Sequence, residues 1–160
     1  MHRLTRGPVL TALYALIATL AAGSVFAEGE HAMRAPLLPK YQQECAACHV
    51  AYPPGLLPAA SWQRITSNLS RHFGTDASLD AASTRELSAW LAANAATSRR
   101  VQEAPPDDRI TRSAWFARKH DDVPARAWKL PAVKSAANCN ACHQQAQQGI
   151  FNEHDVRVPR

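Results

Sequence analysis

Two five-residue runs of the form Cys-x-x-Cys-His constrain this chain more than any other feature. The first occupies residues 45–49 and the second residues 139–143, and together they use all four cysteines. In this signature of a c-type haem, both sulfurs add to the haem vinyl groups and the histidine is the proximal ligand of the iron. The sequence therefore predicts two covalently bound haem c groups. The attachment residues are Cys45, Cys48, Cys139 and Cys142, and the proximal ligands are His49 and His143.

Paired cysteines also occur in zinc sites and in thioredoxin-type redox centres. A zinc ribbon separates its two Cys-x-x-Cys pairs by roughly 15–20 residues, whereas these pairs stand far apart, at 45–48 and 139–142. A thioredoxin motif needs a strand–helix–strand context, and no strand pattern is evident near either run. Haem attachment is therefore the interpretation that uses both runs completely.

The N-terminus has the pattern of a secretory signal peptide. Arg3 and Arg6 precede an apolar run at 9–22, and small residues lead up to Glu28. We expect residues 1–27 to be cleaved and the mature chain to reach the periplasm. An uncleaved membrane anchor is the alternative, but a bilayer span needs about 20 apolar residues.

Charge and composition exclude little and suggest no special partner. Removal of 1–27 takes away Arg3 and Arg6 and leaves 16 basic and 13 acidic residues, a formal charge of +3. Two haems would add four propionates, so this balance does not identify a partner. No Lys/Arg tract with interleaved aromatic residues is present, and nucleic-acid binding is not expected.

Helical patterns connect the two motifs. A helix over 40–49 would deliver the first motif, and another should begin with Ser61 as N-cap and run to His72. Residues 83–86 read as a capping box that starts a helix ending at about Ala96.

The second half follows a similar pattern. A helix is expected over 111–120, and Pro131 fits the first position of a last helix that carries the second motif and runs through Gln148 to Gly149. The expected fold is therefore all-α, with the C-terminal half helical and wrapped around the second haem. The apolar, proline-rich loop 51–58 fits either a cover over the first haem edge or a surface loop.

Four regions follow from these patterns. Residues 1–27 form the signal peptide and residues 28–98 the first haem region. Residues 99–108, which are polar and contain Pro105-Pro106, are the best linker in the chain. Residues 109–160 form the second haem region.

The sixth ligand of each iron decides the class of function, because methionine, histidine or an open position gives different chemistry. The single methionine of the mature chain, Met33, lies in an irregular segment. His72 shares an apolar helix face with Leu69, and His120 shares one with Phe116. A lone histidine on such a face is usually a core residue, but two irons here need ligands. We therefore predict that His72 and His120 are the distal ligands.

The remaining histidines and the pairing of ligands are less constrained. His31 and His154 lie near the mature termini in polar surroundings and are interpreted as surface residues. His72 follows His49 by 23 residues and His120 precedes His143 by 23, so the halves are mirrored rather than tandem copies. Each half could bind its own haem, and a crossed arrangement remains open.

Two side-chain groups near the haems have several interpretations. Arg71 and the pair Arg118-Lys119 flank the candidate distal ligands, where they could meet haem propionates, an acidic partner or solvent. Tyr52 is a candidate hydrogen-bond donor to a propionate. Since a 133-residue chain has a modest core, we also expect the chain without haem to fold poorly.

Longer segments resemble a known family. The run Cys-Ala-Ala-Cys-His-Val-Ala-Tyr-Pro-Pro-Gly-Leu-Leu-Pro, then Ser61-Trp62 and His72-Phe73-Gly74, resembles the bacterial dihaem cytochrome c family known as DHC. Trp115-Phe116 with His120, the second motif and the Val-Arg-Val-Pro-Arg tail are also similar. The resemblance covers about residues 40–160. It implies a periplasmic electron-transfer protein with two bis-histidine haems. The implied partners are a monohaem cytochrome called sphaeroides haem protein and a b-type membrane cytochrome.

The first half, about 40–97, also resembles a shortened class I cytochrome c. The departure is His72 where class I usually has methionine, which lowers the expected reduction potential. Three other functions remain as alternatives: a small dihaem peroxidase-type enzyme, a redox subunit of a larger oxidoreductase complex, and a gas-binding module. No second polar constellation accompanies either motif, so an electron carrier without a small-molecule substrate is the leading hypothesis.

Overall fold

The computed structural model describes residues 36–99 and 101–160. The predicted signal peptide, His31 and Met33 lie outside these residues. The described chain is helical and contains no β-strand, only two isolated bridges, which confirms the all-α prediction. None of its helices is both long enough and apolar enough to span a bilayer.

Three α-helices build the first half. Helix α1 spans Pro39–Cys45, α2 spans Ala59–Thr66 and α3 spans Ala81–Ala93. They enclose the main hydrophobic cluster, whose buried members are Tyr41, Ala51, Leu57, Trp62, Leu87 and Leu91.

The proline-rich loop between α1 and α2 is buried from Pro53 to Pro58. Leu57 is 1% exposed, and the indole N–H of Trp62 donates to the carbonyl of Pro54 at 2.7 Å. The loop therefore belongs to the core and is not a surface loop with a few buried leucines.

The predicted helix ends in this half were partly wrong. Helix α1 ends at Cys45 and not at His49, because the chain turns there to lead into the buried loop. Helix α2 begins at Ala59, so Ser61 lies inside it and is fully buried. It stops at Thr66, and a separate 3₁₀ turn at Leu69–Arg71 leads to His72.

The start of α3 was also misplaced. Its N-cap is Asp80, whose carboxylate accepts hydrogen bonds from the backbone N–H groups of Ala82 and Ser83. The capping-box pattern at 83–86 lies three residues too late, because aspartate at position 80 satisfies the first free N–H groups before Ser83 can. The helix ends at Ala93, before the predicted Ala96.

The second half is built mostly from single turns. Its only described α-helix is α4, Ala114–Lys119, capped by Ser113, whose hydroxyl accepts the N–H of Phe116 at 3.0 Å. The rest of this half consists of short 3₁₀ turns at Ile110–Arg112, Ala127–Lys129, Cys139–Ala141, Ala146–Gln148 and Glu153–Asp155.

The predicted helix from Pro131 through the second motif to Gly149 was wrong. Local bonds hold a turn instead, since Lys134 has a φ of 62° and the side chain of Asn138 donates to the carbonyl of Val133. Such side-chain bonds compete with helix formation. Gly149, with a φ of +73°, ends the 3₁₀ turn Ala146–Gln148 that follows the motif.

Polar contacts between described residues tie the first half to the linker and to the second half. Arg64 on α2 forms a bidentate pair with Asp108, with bonds of 2.9 and 2.6 Å, at the end of the predicted linker. The hydroxyl of Tyr52 donates to the carbonyl of Ala137 at 2.8 Å. The second half thus packs against the first through named bonds as well as apolar contact.

Candidate haem centres

One continuous cavity of about 1650 Å³ contains both Cys-x-x-Cys-His runs. All four cysteines line it, together with the four histidines selected from the sequence. A site for one small molecule usually measures roughly 300–1,000 Å³. The cavity is larger than such a site and has the capacity for two large groups.

The first centre brings His49 and His72 together. Their ring centroids lie 6.1 Å apart with an angle of 27° between the ring planes. The Nδ1–H of His49 donates to the carbonyl of Val50 at 2.7 Å. Because a carbonyl only accepts, Nδ1 carries a proton, and in the neutral imidazole Nε2 is then the nitrogen available to bind a metal.

The second centre has the same composition. The ring centroids of His120 and His143 are also 6.1 Å apart, with an interplanar angle of 72°. The Nδ1–H of His120 donates to the carbonyl of Phe116 at 2.9 Å, and the two rings stack at 3.9 Å. Nδ1 of His143 is buried without a partner in the described residues.

These separations fit a metal ion between each pair of rings. Metal–imidazole bonds are about 2 Å long, so two imidazoles on opposite sides of one metal have centroids about 6 Å apart. The histidines of each half lie together, His72 with His49 and His120 with His143. The crossed arrangement left open by the sequence is not the one that the structure displays.

The cysteines differ in burial. Cys48 is exposed, whereas the other three are partly buried. Burial raises the pKa of Cys45 and of Cys139 to about 11. No disulfide joins the four within the described chain, and no group of three or more His, Cys, Asp or Glu side chains gathers there as a metal site.

Burial also affects the histidines. It lowers the pKa of His72, and the neighbouring His49 and Arg109 lower it further. Burial and the nearby His120 lower the pKa of His143. Both effects favour neutral imidazole, which is the form that binds a metal.

Sequence reasoning missed Arg109, which reaches the first centre from the second half. Its guanidinium lies 4.5 Å above the ring of Phe73, which meets His72 edge-on at 4.8 Å. Tyr52 was selected only as a donor to a propionate. Its ring stacks on His49 at 4.7 Å, and its hydroxyl donates to the carbonyl of Ala137. No local sequence pattern predicts either contact.

A family model described as dihaem cytochrome c matches residues 41–151, which include both motifs and all four paired histidines. The chain belongs to the dihaem cytochrome c family. This dihaem cytochrome c therefore carries two covalently attached haem c groups, and its family is generally one of electron carriers.

Solved structures agree with this family membership. A dihaem cytochrome c from Shewanella baltica OS155 is 42% identical, with a TM-score of 0.66 over 76% of this chain and 92% of that one. A dihaem cytochrome c from Rhodobacter sphaeroides is 42% identical, with a TM-score of 0.64 over 71% and 96% of the two chains. A second structure, of DHC purified from Rhodobacter sphaeroides, is 44% identical with a TM-score of 0.62 over the same shares. No curated protein sequence matches the chain significantly.

Proposed function

We propose that this dihaem cytochrome c is a periplasmic electron carrier with two six-coordinate, low-spin haems. Cys45 and Cys48 would attach the first haem, and Cys139 and Cys142 the second. The axial ligands would be His49 with His72 and His143 with His120. The observation that carries the proposal is the centroid distance of 6.1 Å in both histidine pairs.

Hydrogen bonds to backbone carbonyls support the ligand role of His49 and His120. Each ring gives its Nδ1 proton to a carbonyl, of Val50 or Phe116. Such bonds fix the tautomer and the ring orientation and raise the basicity of the ligating nitrogen. Histidine in both axial positions favours a lower potential than a histidine–methionine pair.

The chemistry follows from this arrangement. The haem iron supplies a one-electron redox change when the groups are bound, and the surrounding side chains hold the imidazoles in place. Phe116 is 9% exposed and packs against both His120 and Trp128. With two protein ligands on each iron, neither haem would offer a free position to a substrate. This supports a carrier in preference to a peroxidase-type enzyme.

The location and partners rest on the sequence and the family. The signal-peptide pattern at 1–27 supports export to the periplasm. By resemblance, electrons would arrive from a b-type membrane cytochrome and leave to a soluble monohaem protein like sphaeroides haem protein. Two mixing experiments that follow haem absorbance test this order: reduced membrane cytochrome with the oxidised protein, and the reduced protein with the oxidised soluble haem protein. Absence of transfer in both would refute it.

Spectroscopy of the purified mature protein tests the ligation. We expect two haems per chain, both low-spin in the oxidised and the reduced state, and no binding of CO after reduction. A high-spin fraction or rapid CO binding would refute bis-histidine ligation and favour an enzyme or a gas-binding module.

Single variants test the individual ligands. His72→Ala and His120→Ala should each convert one haem, and only one, to high spin, while His72→Met should stay low-spin and have a higher potential. His154→Ala is the matched control, because His154 also lines the cavity but is exposed in a 3₁₀ turn and is not one of the proposed ligands; it should leave both haems low-spin. Unchanged spin states in His72→Ala or His120→Ala would exclude that residue as a ligand.

A further inference from the structure

Tyr52 contacts both haem centres. Its ring stacks on the imidazole of His49, with a centroid distance of 4.7 Å and an interplanar angle of 21°. Its hydroxyl donates to the carbonyl oxygen of Ala137 at 2.8 Å, across 85 residues of sequence. One side chain thus joins the proximal histidine of the first centre to a segment of the second half.

That segment leads directly into the second haem motif. Ala137 stands two residues before Cys139, and its carbonyl oxygen, which accepts from Tyr52, lies 3.8 Å from the sulfur of Cys139. The hydroxyl of Tyr52 is therefore separated from an attachment sulfur of the second haem by a single carbonyl group.

Tyr52 is itself held firmly in the first half. Its backbone carbonyl accepts a hydrogen bond from the hydroxyl of Tyr41 at 2.9 Å, and Tyr41 is 3% exposed in the main core. The next two residues, Pro53 and Pro54, are fully buried and restrict the backbone. The side chain of Tyr52 thus extends from a rigid base.

The segment that receives its hydroxyl is held by short local bonds, such as that from the side chain of Asn138 to the carbonyl of Val133. Residues 131–138 form turns. Among them only Val133 has a buried side chain. A second cavity, of about 470 Å³, is lined by residues 46–51 together with Asn140 and Gln147, so the two motifs face each other across it.

We propose that Tyr52 is a positioning residue that couples the two haem centres, by holding the second attachment segment against the first proximal histidine. The proposal rests on the ligand role proposed above for His49. With both haems bound, the side-chain contacts between the two attachment sites would comprise the imidazole of His49, the phenol of Tyr52, its hydrogen bond to Ala137, and the 3.8 Å contact from that carbonyl to the sulfur of Cys139. No covalent bond breaks, and the phenol keeps its proton.

The variant Tyr52→Phe tests the proposal, because it keeps the stacked ring and removes only the hydroxyl. Both haems should stay attached and low-spin. After a flash-generated reductant delivers one electron, its redistribution between the two haems should be severalfold slower than in the wild type. Since a hydrogen bond contributes about 1 kcal/mol net, amide hydrogen exchange at 137–139 should become about fivefold faster.

Ser67→Ala is the control. It also removes one hydroxyl that donates to a backbone carbonyl, that of Arg64 at 2.9 Å, but on an exposed residue of the first half that touches neither attachment segment. It should change neither the redistribution rate nor the exchange at 137–139. Equal redistribution rates in Tyr52→Phe and the wild type, or equal slowing in both variants, would overturn the proposal.

Failure of the ligand assignment would look different. In that case the wild-type protein would have a high-spin haem or bind CO before any variant is made. Low-spin wild-type haems combined with an unchanged rate in Tyr52→Phe would instead refute the role of Tyr52 alone.

Discussion

Phe116 contacts His120 through both its backbone and its side chain. Its backbone carbonyl accepts the imidazole Nδ1–H at 2.9 Å, and its ring stacks on the imidazole with centroids 3.9 Å apart. The one residue sets both the tautomer and the plane of the proposed distal ligand. This is possible because the two residues stand four apart, about one helical turn, with His120 as the C-cap of α4.

Replacement of this ring should weaken the second centre. Phe116→Leu keeps the carbonyl bond and removes the aromatic stack, so we expect a loss of about 1–2 kcal/mol in the free energy of unfolding. One haem should also turn high-spin at a lower temperature than in the wild type, as followed by absorbance. Phe73→Leu is the control, because Phe73 is 44% exposed beside the other distal histidine, and it should cost less. Equal losses in both variants would contradict this interpretation.

Position 149 requires glycine because of its backbone conformation, and not because a larger side chain would lack room. Its φ is +73°, and a Cβ there would meet only Leu37, at ordinary van der Waals distances of 3.7 and 3.9 Å. Gly149→Ala should therefore destabilise the protein by about 1 kcal/mol through strain in the left-handed conformation. Gly149→Asn should cost less, because asparagine tolerates this conformation. Urea unfolding midpoints measure both, and an alanine variant as stable as the wild type would refute the requirement.

Asp80 should make stability depend on pH in the acidic range. Hydrogen bonds from Ser83 and Ala82 at the start of α3 hold its pKa at about 2, below the value of about 4 in an unfolded chain. A lowered pKa contributes stability above the unfolded value, and this contribution is lost as pH falls towards 2.

The variant Asp80→Asn isolates this effect. It should be less stable than the wild type at pH 7, and the difference in urea midpoint should shrink between pH 5 and pH 3. Asp121→Asn, at an exposed position, serves as the control. A difference that stays constant over this range would show that the charge of Asp80 has no role.

The two halves should differ in their dependence on haem. The first half has three helices and the main hydrophobic cluster, whereas α4, with six residues, is the only described α-helix after residue 108. Helices this short are unstable alone. Cys139→Ser with Cys142→Ser should therefore leave residues 36–99 protected from hydrogen exchange and expose 109–160.

The reciprocal variant completes this test. Cys45→Ser with Cys48→Ser removes the first attachment, and it should reduce protection in both halves, because the second half packs on the first through Asp108 and Ala137. Equal protection of 109–160 with and without its own haem would contradict the prediction.

Local sequence patterns predicted where helices occur, but they failed to predict helix ends and turns that depend on other contacts. The existence of helices near 40, 60, 85 and 115 could be predicted, because each has an apolar periodicity within one segment. The long helix through Cys139 was wrong, because a proline and several helix-compatible residues do not reveal the turn that Lys134 and Asn138 make. The cap of α3 was misplaced because two acceptable caps, Asp80 and Ser83, stand three residues apart.

The sequence by itself determined the cofactor, its number and its attachment residues, because thioether attachment needs only five consecutive residues. It also pointed to His72 and His120. Only the tertiary structure decided which histidines lie together, and that Tyr52 links the first centre to Ala137. Those relations join residues up to 85 positions apart. They depend on how the two halves pack, which no local sequence pattern predicts.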